Sequence, residues 1–374
     1  MAAIKKETIP FSQKLAYILI CCIAIGFIAV IASEIIIPLI FALLIAILLL
    51  PLAQRLEKRT KFGRGPASFF ALLLFVAGFV IVVYLIGSQI TNLSKDWPLF
   101  QNQLNTSLND LQNWVAVKFR LNLEQQKAYI HNATSNALSS GSSVIGSTLL
   151  SVSSIVLFTV LTLIYTFFLL LYRSVLLKFL MALVQDESNV MVQDVVGNIQ
   201  LMIRKYILGL LLEMLIVASL CWLAFGILGI KYFILLGLIT ALFNIVPYVG
   251  IFTALLLSAL ITFATAGVSA HLLLVIIIII VIHLIDSNIL LPVIVGSKVS
   301  INAMVTVIGV VAGEMIWGIQ GMFLSVPIIA MLKIICDRIE VLKPWAILLG
   351  HERDESKMKK ISFKRKKPIK QVET

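Results

Sequence analysis

Residues 35–53 read IIIPLIFALLIAILLLPLA, a run of 19 residues without a charged side chain. As an α-helix this run is about 28 Å long, close to the ~30 Å thickness of a bilayer hydrocarbon core. A helix also pairs its backbone polar groups internally, as any segment that crosses lipid must. We therefore predict a membrane-spanning helix. The whole chain shares this character, since 60% of its 374 residues are hydrophobic and only 13% are charged, about half the charged share of an ordinary soluble domain.

Further apolar runs of similar length predict five more spans. Together with the first they are 15–31, 35–53, 67–90, 149–172, 206–228 and 268–285. Residues 232–266 and 301–335 are apolar too, but Gly and Pro interrupt them at 244–250 and 313–321. Each is either a pair of short spans or a hairpin that enters and leaves on one side. The expected fold is an all-α polytopic membrane protein with about 8 transmembrane helices, including two interrupted or re-entrant hairpins in the C-terminal half.

The basic residues predict the orientation of these spans. Of the 30 Lys and Arg residues, 25 fall on one predicted face and five on the other, and the basic face is cytoplasmic in most membrane proteins. Both termini are therefore expected in the cytoplasm. The net charge of +12 then reflects orientation and does not indicate a nucleic-acid partner.

The chain divides into five regions by composition. We expect three N-terminal transmembrane helices in 1–90, an extracytoplasmic amphipathic helical insert in 91–148, a fourth transmembrane helix with a cytoplasmic surface helix in 149–205, a C-terminal transmembrane core in 206–345, and a basic cytoplasmic tail in 346–374. The tail is expected to contact anionic lipid, which attracts clustered Lys and Arg.

Ionisable residues inside apolar runs are the main candidates for function, because burying them in lipid is unfavourable. Glu213 lies in the fifth span with no Lys or Arg within one helical turn, so it either carries a proton or has a structural role between helices. His283 and Asp286 share one face of the Ile-rich span and precede Asn288. This second group either binds a cation or proton, or caps the end of its helix.

The two interruptions supply further candidates. A proline removes a backbone donor and frees a carbonyl, and transporters use broken helices of this kind to hold substrate; a plain kink is the alternative. The polar residues at the interruptions are Asn244, Glu314 and Gln320. The residues expected to break the helices are Pro247, Gly250, Pro292, Gly313, Gly318, Gly321 and Pro327.

Motifs for nucleotide binding, zinc proteases and serine hydrolases do not occur in the sequence, so no enzyme activity is expected. The four cysteines have no metal-binding or disulfide spacing. No cofactor or metal is predicted.

Three segments resemble the autoinducer-2 exporter family of bacterial membrane proteins. They are FNIVPYVG at 243–250, IDSNILLPVIVG at 285–296 and WGIQGMFLSVP at 317–327. The segment at 333–349 is similar to members from Bacteroidetes-type bacteria. By matching position, the resemblance implies roles for Pro247, Gly250, Asp286, Asn288, Pro292, Gly318, Gly321 and Pro327.

The resemblance implies a homo-oligomeric secondary transporter of the bacterial inner membrane that exports a small polar molecule, with the quorum signal autoinducer-2 as the founding substrate. We expect transport to be coupled to a proton or sodium gradient, and the solute to pass between the interrupted segments while Glu213 or Asp286 carries the coupling proton. A sodium(potassium)/proton antiporter and a membrane scaffold acting through its basic tail are the alternatives. Family members often have Gln at the position of Leu210 and His-Pro at the positions of Asn302 and Ala303. Because this chain differs at these positions, the resemblance does not identify its substrate.

Overall fold

The computed structural model describes residues 11–60, 63–96, 98, 102, 106–107, 154–184, 189–246, 249–266, 270–296 and 301–350. These residues form helices, with one isolated bridge between Ile301 and Gly350. In chain order the helices are α1 (Phe11–Ile31), α2 (Ser33–Thr60), α3 (Arg64–Lys95), α4 (Ser154–Leu171), α5 (Arg173–Ala182), α6 (Asn189–Ile227), α7 (Phe233–Phe243), α8 (Val249–Ala266), α9 (Ala270–Ile285), α10 (Ala303–Arg338) and α11 (Lys343–Leu349).

By length and composition, six of the described helices are long and apolar enough to cross a membrane: α2, α3, α4, α6, α9 with its extension to Ile294, and α10. Helix α10 reverses within its length, as described below, so its 36 residues do not form one straight span. Helices α1, α7 and α8 contain shorter apolar stretches. Many large apolar side chains point outward, as in α3, where Tyr84 is 73% exposed. This confirms the predicted all-α polytopic membrane fold.

Helix α6 is the central element of the packing. Its N-terminal half contributes Met202, Tyr206 and Leu210 to a core shared with α2 and α10. Its other half contributes Val217 and Phe225 to a core shared with α7 and α9. The predicted surface helix and the predicted fifth span are therefore continuous from Asn189 onward, in a helix of 39 residues and about 58 Å. Hydropathy alone separates them because charge interrupts the apolar run at Arg204 and Lys205.

The first predicted interruption is a turn between α7 and α8. Gly250, at the start of α8, lies against the end of α7, where a Cβ atom would overlap the Phe243 carbonyl group. Only glycine permits this approach of two backbones. Pro247 lies outside the described residues, whereas Asn244 caps the end of α7.

The second predicted interruption is a sharp reversal within α10. Gly318 has φ 61° and ψ −144°, a conformation that is essentially restricted to glycine. Ile329 lies against Gly309, although a straight helix would separate these residues by about 30 Å. Gly313 and Gly321 face each other so closely that a Cβ atom on either would overlap the other's carbonyl group. The segment is a helical hairpin with arms 303–317 and 319–338.

An electrostatic contact joins the end of α3 to the turn between α6 and α7. Lys231 and the hydroxyl of Tyr232 both donate to Asp96, and together they hold the pKa of this carboxyl below its ordinary value. Most of the predicted insert at 91–148 and the tail beyond Gly350 lie outside the described residues.

Candidate functional site

Three polar side chains from separate helices meet inside the apolar bundle. The amide nitrogen of Asn244 donates to Oε1 of Glu213 at 3.1 Å and to Oδ2 of Asp286 at 2.9 Å. Glu213 comes from the middle of α6, Asn244 from the end of α7, and Asp286 from the end of α9. We call Glu213, Asn244 and Asp286 the carboxyl-amide cluster.

Both carboxyl groups of this cluster are buried. Glu213 is 2% exposed and Asp286 is 4% exposed. Within the described part of the chain, Oε2 of Glu213 and Oδ1 of Asp286 have no hydrogen-bond partner. Buried polar atoms normally have one, so these two oxygens are able to accept a proton or contact a cation.

The helix breaks explain why the three residues meet. Asn244 follows the last residue of α7, and Gly250 holds the start of α8 against this point. Asp286 begins a wider π-helical segment, Asp286–Gly296, that contains Pro292. Glu213 lies between the two core regions of α6, one turn after Leu210 and one turn before Val217. Segments of π-helix inside α-helices occur frequently at functional sites.

A small cavity of about 10 Å³ adjoins the cluster, which is near the lower limit for one ordered water molecule. Thr240, Asn244, His283 and Asp286 are its polar lining residues. His283 is half-buried and lies one turn before Asp286. The sequence therefore placed His283 and Asp286 correctly on one face, and the structure adds Asn244 and Glu213 to the same site.

The composition of the cluster restricts its charge. Two carboxylates share a single amide donor, and none of the described Lys or Arg residues forms an ion pair with either. Two unpaired negative charges in a buried site would be strongly destabilising. The arrangement is chemically suited to hold a proton or a small cation between the carboxyl groups.

Other predicted candidates lie elsewhere. The side-chain amide of Asn288 donates to the backbone of its own helix at Leu284 O, 2.8 Å away. Glu314 and Gln320 are exposed near the reversal of α10 and are not part of the carboxyl-amide cluster. Gly313, Gly318 and Gly321 form the α10 reversal, and Pro327 is buried in its returning arm.

Thr240 is the residue that the sequence reading missed. It is buried, lines the cavity, and donates its hydroxyl to Leu236 O at 2.8 Å. Its position four residues before Asn244 puts both on one face of α7. That spacing was visible in the sequence, but a threonine in an apolar helix is usually a packing residue.

Comparison with known proteins extends this picture to the whole chain. A profile of AI-2E family transporters matches residues 19–340. The AI-2 transport protein TqsA of Escherichia coli K12 is 25% identical over 85% of this chain and 90% of its own length. The candidate transport protein YrrI of Bacillus subtilis 168 is 27% identical over 81% of this chain and 86% of its own length. The candidate permease PerM of E. coli K12 is 25% identical over 86% of this chain and 93% of its own length. The chain thus belongs to the AI-2E family of membrane transporters.

Proposed function

We propose that this protein is a secondary transporter of the bacterial inner membrane that exports a small polar solute, and that the carboxyl-amide cluster binds the coupling proton. The observation that carries the proposal is the Asn244 amide bridging two buried carboxyl groups, each with one oxygen that has no partner among the described residues. A site of this kind changes its charge by one when a proton is bound or released, which is what coupling to a proton gradient requires.

The position of the cluster supports this role. Glu213 lies on α6 between the core that packs against the α10 hairpin and the core that packs against α7. A change in the charge of Glu213 therefore acts where the two interrupted segments attach to one helix. Interrupted helices in transporters commonly adjoin the substrate and ion sites, so we place the solute route between these segments.

The membrane arrangement follows the distribution of charge. We infer that both termini lie in the cytoplasm, because the basic residues concentrate on one predicted face and that face is cytoplasmic in most membrane proteins. The basic tail would contact anionic lipid there. Exposed apolar side chains such as Ile23 at 72% and Phe27 at 66% in α1 suit contacts with lipid or with other subunits of a homo-oligomer.

Autoinducer-2 is the first solute to test, because TqsA is named for its transport. Proteoliposomes that contain the full-length protein would be loaded with autoinducer-2 and exposed to an imposed pH gradient. We expect Glu213→Gln and Asp286→Asn each to reduce gradient-driven efflux by tenfold or more while leaving solute exchange without a gradient measurable; tenfold in rate corresponds to about 1.4 kcal/mol.

Glu34→Gln is the matched control, since Glu34 is also a carboxyl in an apolar helix, α2, but is exposed and lies outside both the cluster and the interrupted segments. It should retain coupled efflux. Unchanged coupled efflux in both cluster variants would exclude the proton-binding role of the cluster, and absence of flux in the wild type would exclude autoinducer-2 as the solute.

A sodium(potassium)/proton antiporter is the second candidate. The unpartnered oxygens Oε2 of Glu213 and Oδ1 of Asp286 are the hard ligands that alkali and alkaline-earth cations prefer. A pH-sensitive dye inside proteoliposomes would report proton movement on addition of sodium or potassium. A signal that depends on Asp286 would favour the antiporter, and no signal with either cation would exclude it.

A further inference from the structure

A large apolar groove lies far from the carboxyl-amide cluster, at the basic end of the bundle. Helices α2, α4, α5 and α6 enclose a volume of about 540 Å³, within the ~300–1,000 Å³ range of small-molecule sites in proteins. Its walls are mostly aliphatic, with Leu43 and Ile47 from α2, Leu170 from α4 and Leu177 from α5 among them. A volume of this shape and lining accommodates a hydrocarbon chain.

The groove opens along α5. Phe179, at 57% exposed, and Leu176 and Leu180, each at 41%, line it and also face outward. Helix α5 has no buried residue, although four of its ten residues are Leu or Phe. A short helix with exposed apolar residues and basic residues, here Arg173 and Lys178, is typical of the lipid interface, so an opening along α5 suits entry of a lipid acyl chain.

One end of the groove carries positive charge. Arg173 lines it and donates through Nη2 to Glu57 of α2. Arg64 of α3 also contacts Glu57, at 3.5 Å, and donates through Nη1 to Ser174 Oγ at 2.7 Å. Two guanidinium groups therefore share one carboxylate, which leaves a net positive charge at this end.

Arg173 retains unused hydrogen-bonding capacity. Its side chain is 22% exposed, and its Nη1 atom is buried without a hydrogen-bond partner among the described residues. Guanidinium groups bind phosphate oxygens in a two-pronged geometry. A phosphate oxygen would accept the hydrogen bond from Nη1, the atom of Arg173 that does not donate to Glu57.

From these contacts we infer that the groove binds one anionic glycerophospholipid of the cytoplasmic leaflet, with the phosphate on Arg173 and an acyl chain among the leucines of α2, α4 and α5. The lipid bridges α5 to α2 and α4. This site is separate from the contact that we expect between the basic tail and the membrane surface.

The combination of charge and lining favours phospholipid over other occupants. A small polar solute would leave the aliphatic walls without contacts, and an apolar solute would leave the Arg173 donor unpaired at a buried position. A phospholipid satisfies both ends of the groove. Its anionic head group also balances the charge that remains after Glu57 is shared.

Native mass spectrometry of the full-length protein in detergent tests this site. The protein is stripped of lipid and then offered equal amounts of phosphatidylglycerol and phosphatidylcholine that carry identical acyl chains. We expect preferential retention of phosphatidylglycerol. Arg173→Gln should lower this retention about tenfold, the size associated with one charge-assisted hydrogen bond, whereas Lys58→Gln, which removes an exposed charge nearby, should leave it unchanged.

Three further variants separate lipid binding from a structural effect. Glu57→Gln breaks the ion pair but keeps Arg173, so it should preserve or increase phosphatidylglycerol retention. Leu177→Trp fills the groove and should reduce retention of both lipids, whereas Leu183→Trp changes a residue of the same region that is 65% exposed and outside the groove, and should have no effect.

Three results would overturn the inference. The first is no retained lipid in the wild type, which would mean that another segment or subunit fills the groove. The second is equal retention of the two lipids. The third is a loss with Glu57→Gln as large as that with Arg173→Gln, which would show that the ion pair alone is responsible.

Discussion

Gly321→Ala tests the hairpin within α10. A Cβ atom at Gly321 would overlap the carbonyl oxygen of Gly313, and it would lie 2.6 Å from the carbonyl carbon of Gly313 and 3.0 Å from Cβ of Trp317. The nearest obstruction is backbone, so no rotamer change relieves it. Carbon atoms pack best at about 3.5–4.0 Å, so the two arms must separate by about 1 Å.

This separation sets the expected magnitude. A gap of 0.5–1 Å removes roughly a quarter to a half of the dispersion energy of each contact it affects, and overpacking a well-packed core is destabilising by about 1–3 kcal/mol. The higher helix propensity of Ala over Gly returns up to about 1 kcal/mol. We therefore expect a net destabilisation of roughly 1–2 kcal/mol.

The assay is the temperature at which half of the detergent-solubilised protein leaves the monodisperse peak in size-exclusion chromatography. Gly78→Ala is the matched control, because Gly78 lies in a membrane helix with nothing within 4 Å of the added Cβ atom. It should leave the midpoint unchanged or raise it slightly. If Gly321→Ala has the same midpoint as Gly78→Ala, the arms of α10 do not pack at these glycines.

Three further predictions concern other parts of the chain. Gly318→Ala should lower the same midpoint through backbone strain alone, which amounts to about 1–3 kcal/mol at this φ and ψ. The control is Gly197→Ala, a substitution at an open helical position, and an equal loss in that variant would contradict the strain explanation. Asn244→Leu removes the donor shared by the two carboxyls and should destabilise the protein by about 2 kcal/mol. In a double-mutant cycle, adding Glu213→Gln should recover part of this loss, and strictly additive effects of the two substitutions would argue against the contact. Lys231 and Tyr232 hold the pKa of the Asp96 carboxyl below its ordinary value, so their contribution to stability is present above the unfolded-state pKa and is lost as the pH falls through the folded-state pKa. Acidification from about pH 5 to about pH 3 should therefore lower the midpoint of the wild type more than that of Asp96→Asn, and parallel curves would refute it.

The candidate site shows how far sequence reasoning reaches. Glu213 and Asp286 were identifiable because a carboxyl group in an apolar span is unfavourable wherever that span packs. Their meeting was not identifiable, since Asn244 lies 31 residues from Glu213 and 42 from Asp286. Local patterns record burial and helical faces, but they do not record which faces of separate helices come together.

The sequence by itself determined the membrane class, the approximate spans and the two interruptions, because transfer into lipid and the special backbone of Gly and Pro are properties of short segments. Only the tertiary structure decided that α6 continues unbroken from Asn189 into the membrane, that α10 folds back at Gly318, and that one amide joins two carboxyl groups. These features depend on packing between distant segments, which hydropathy and spacing along the chain do not encode.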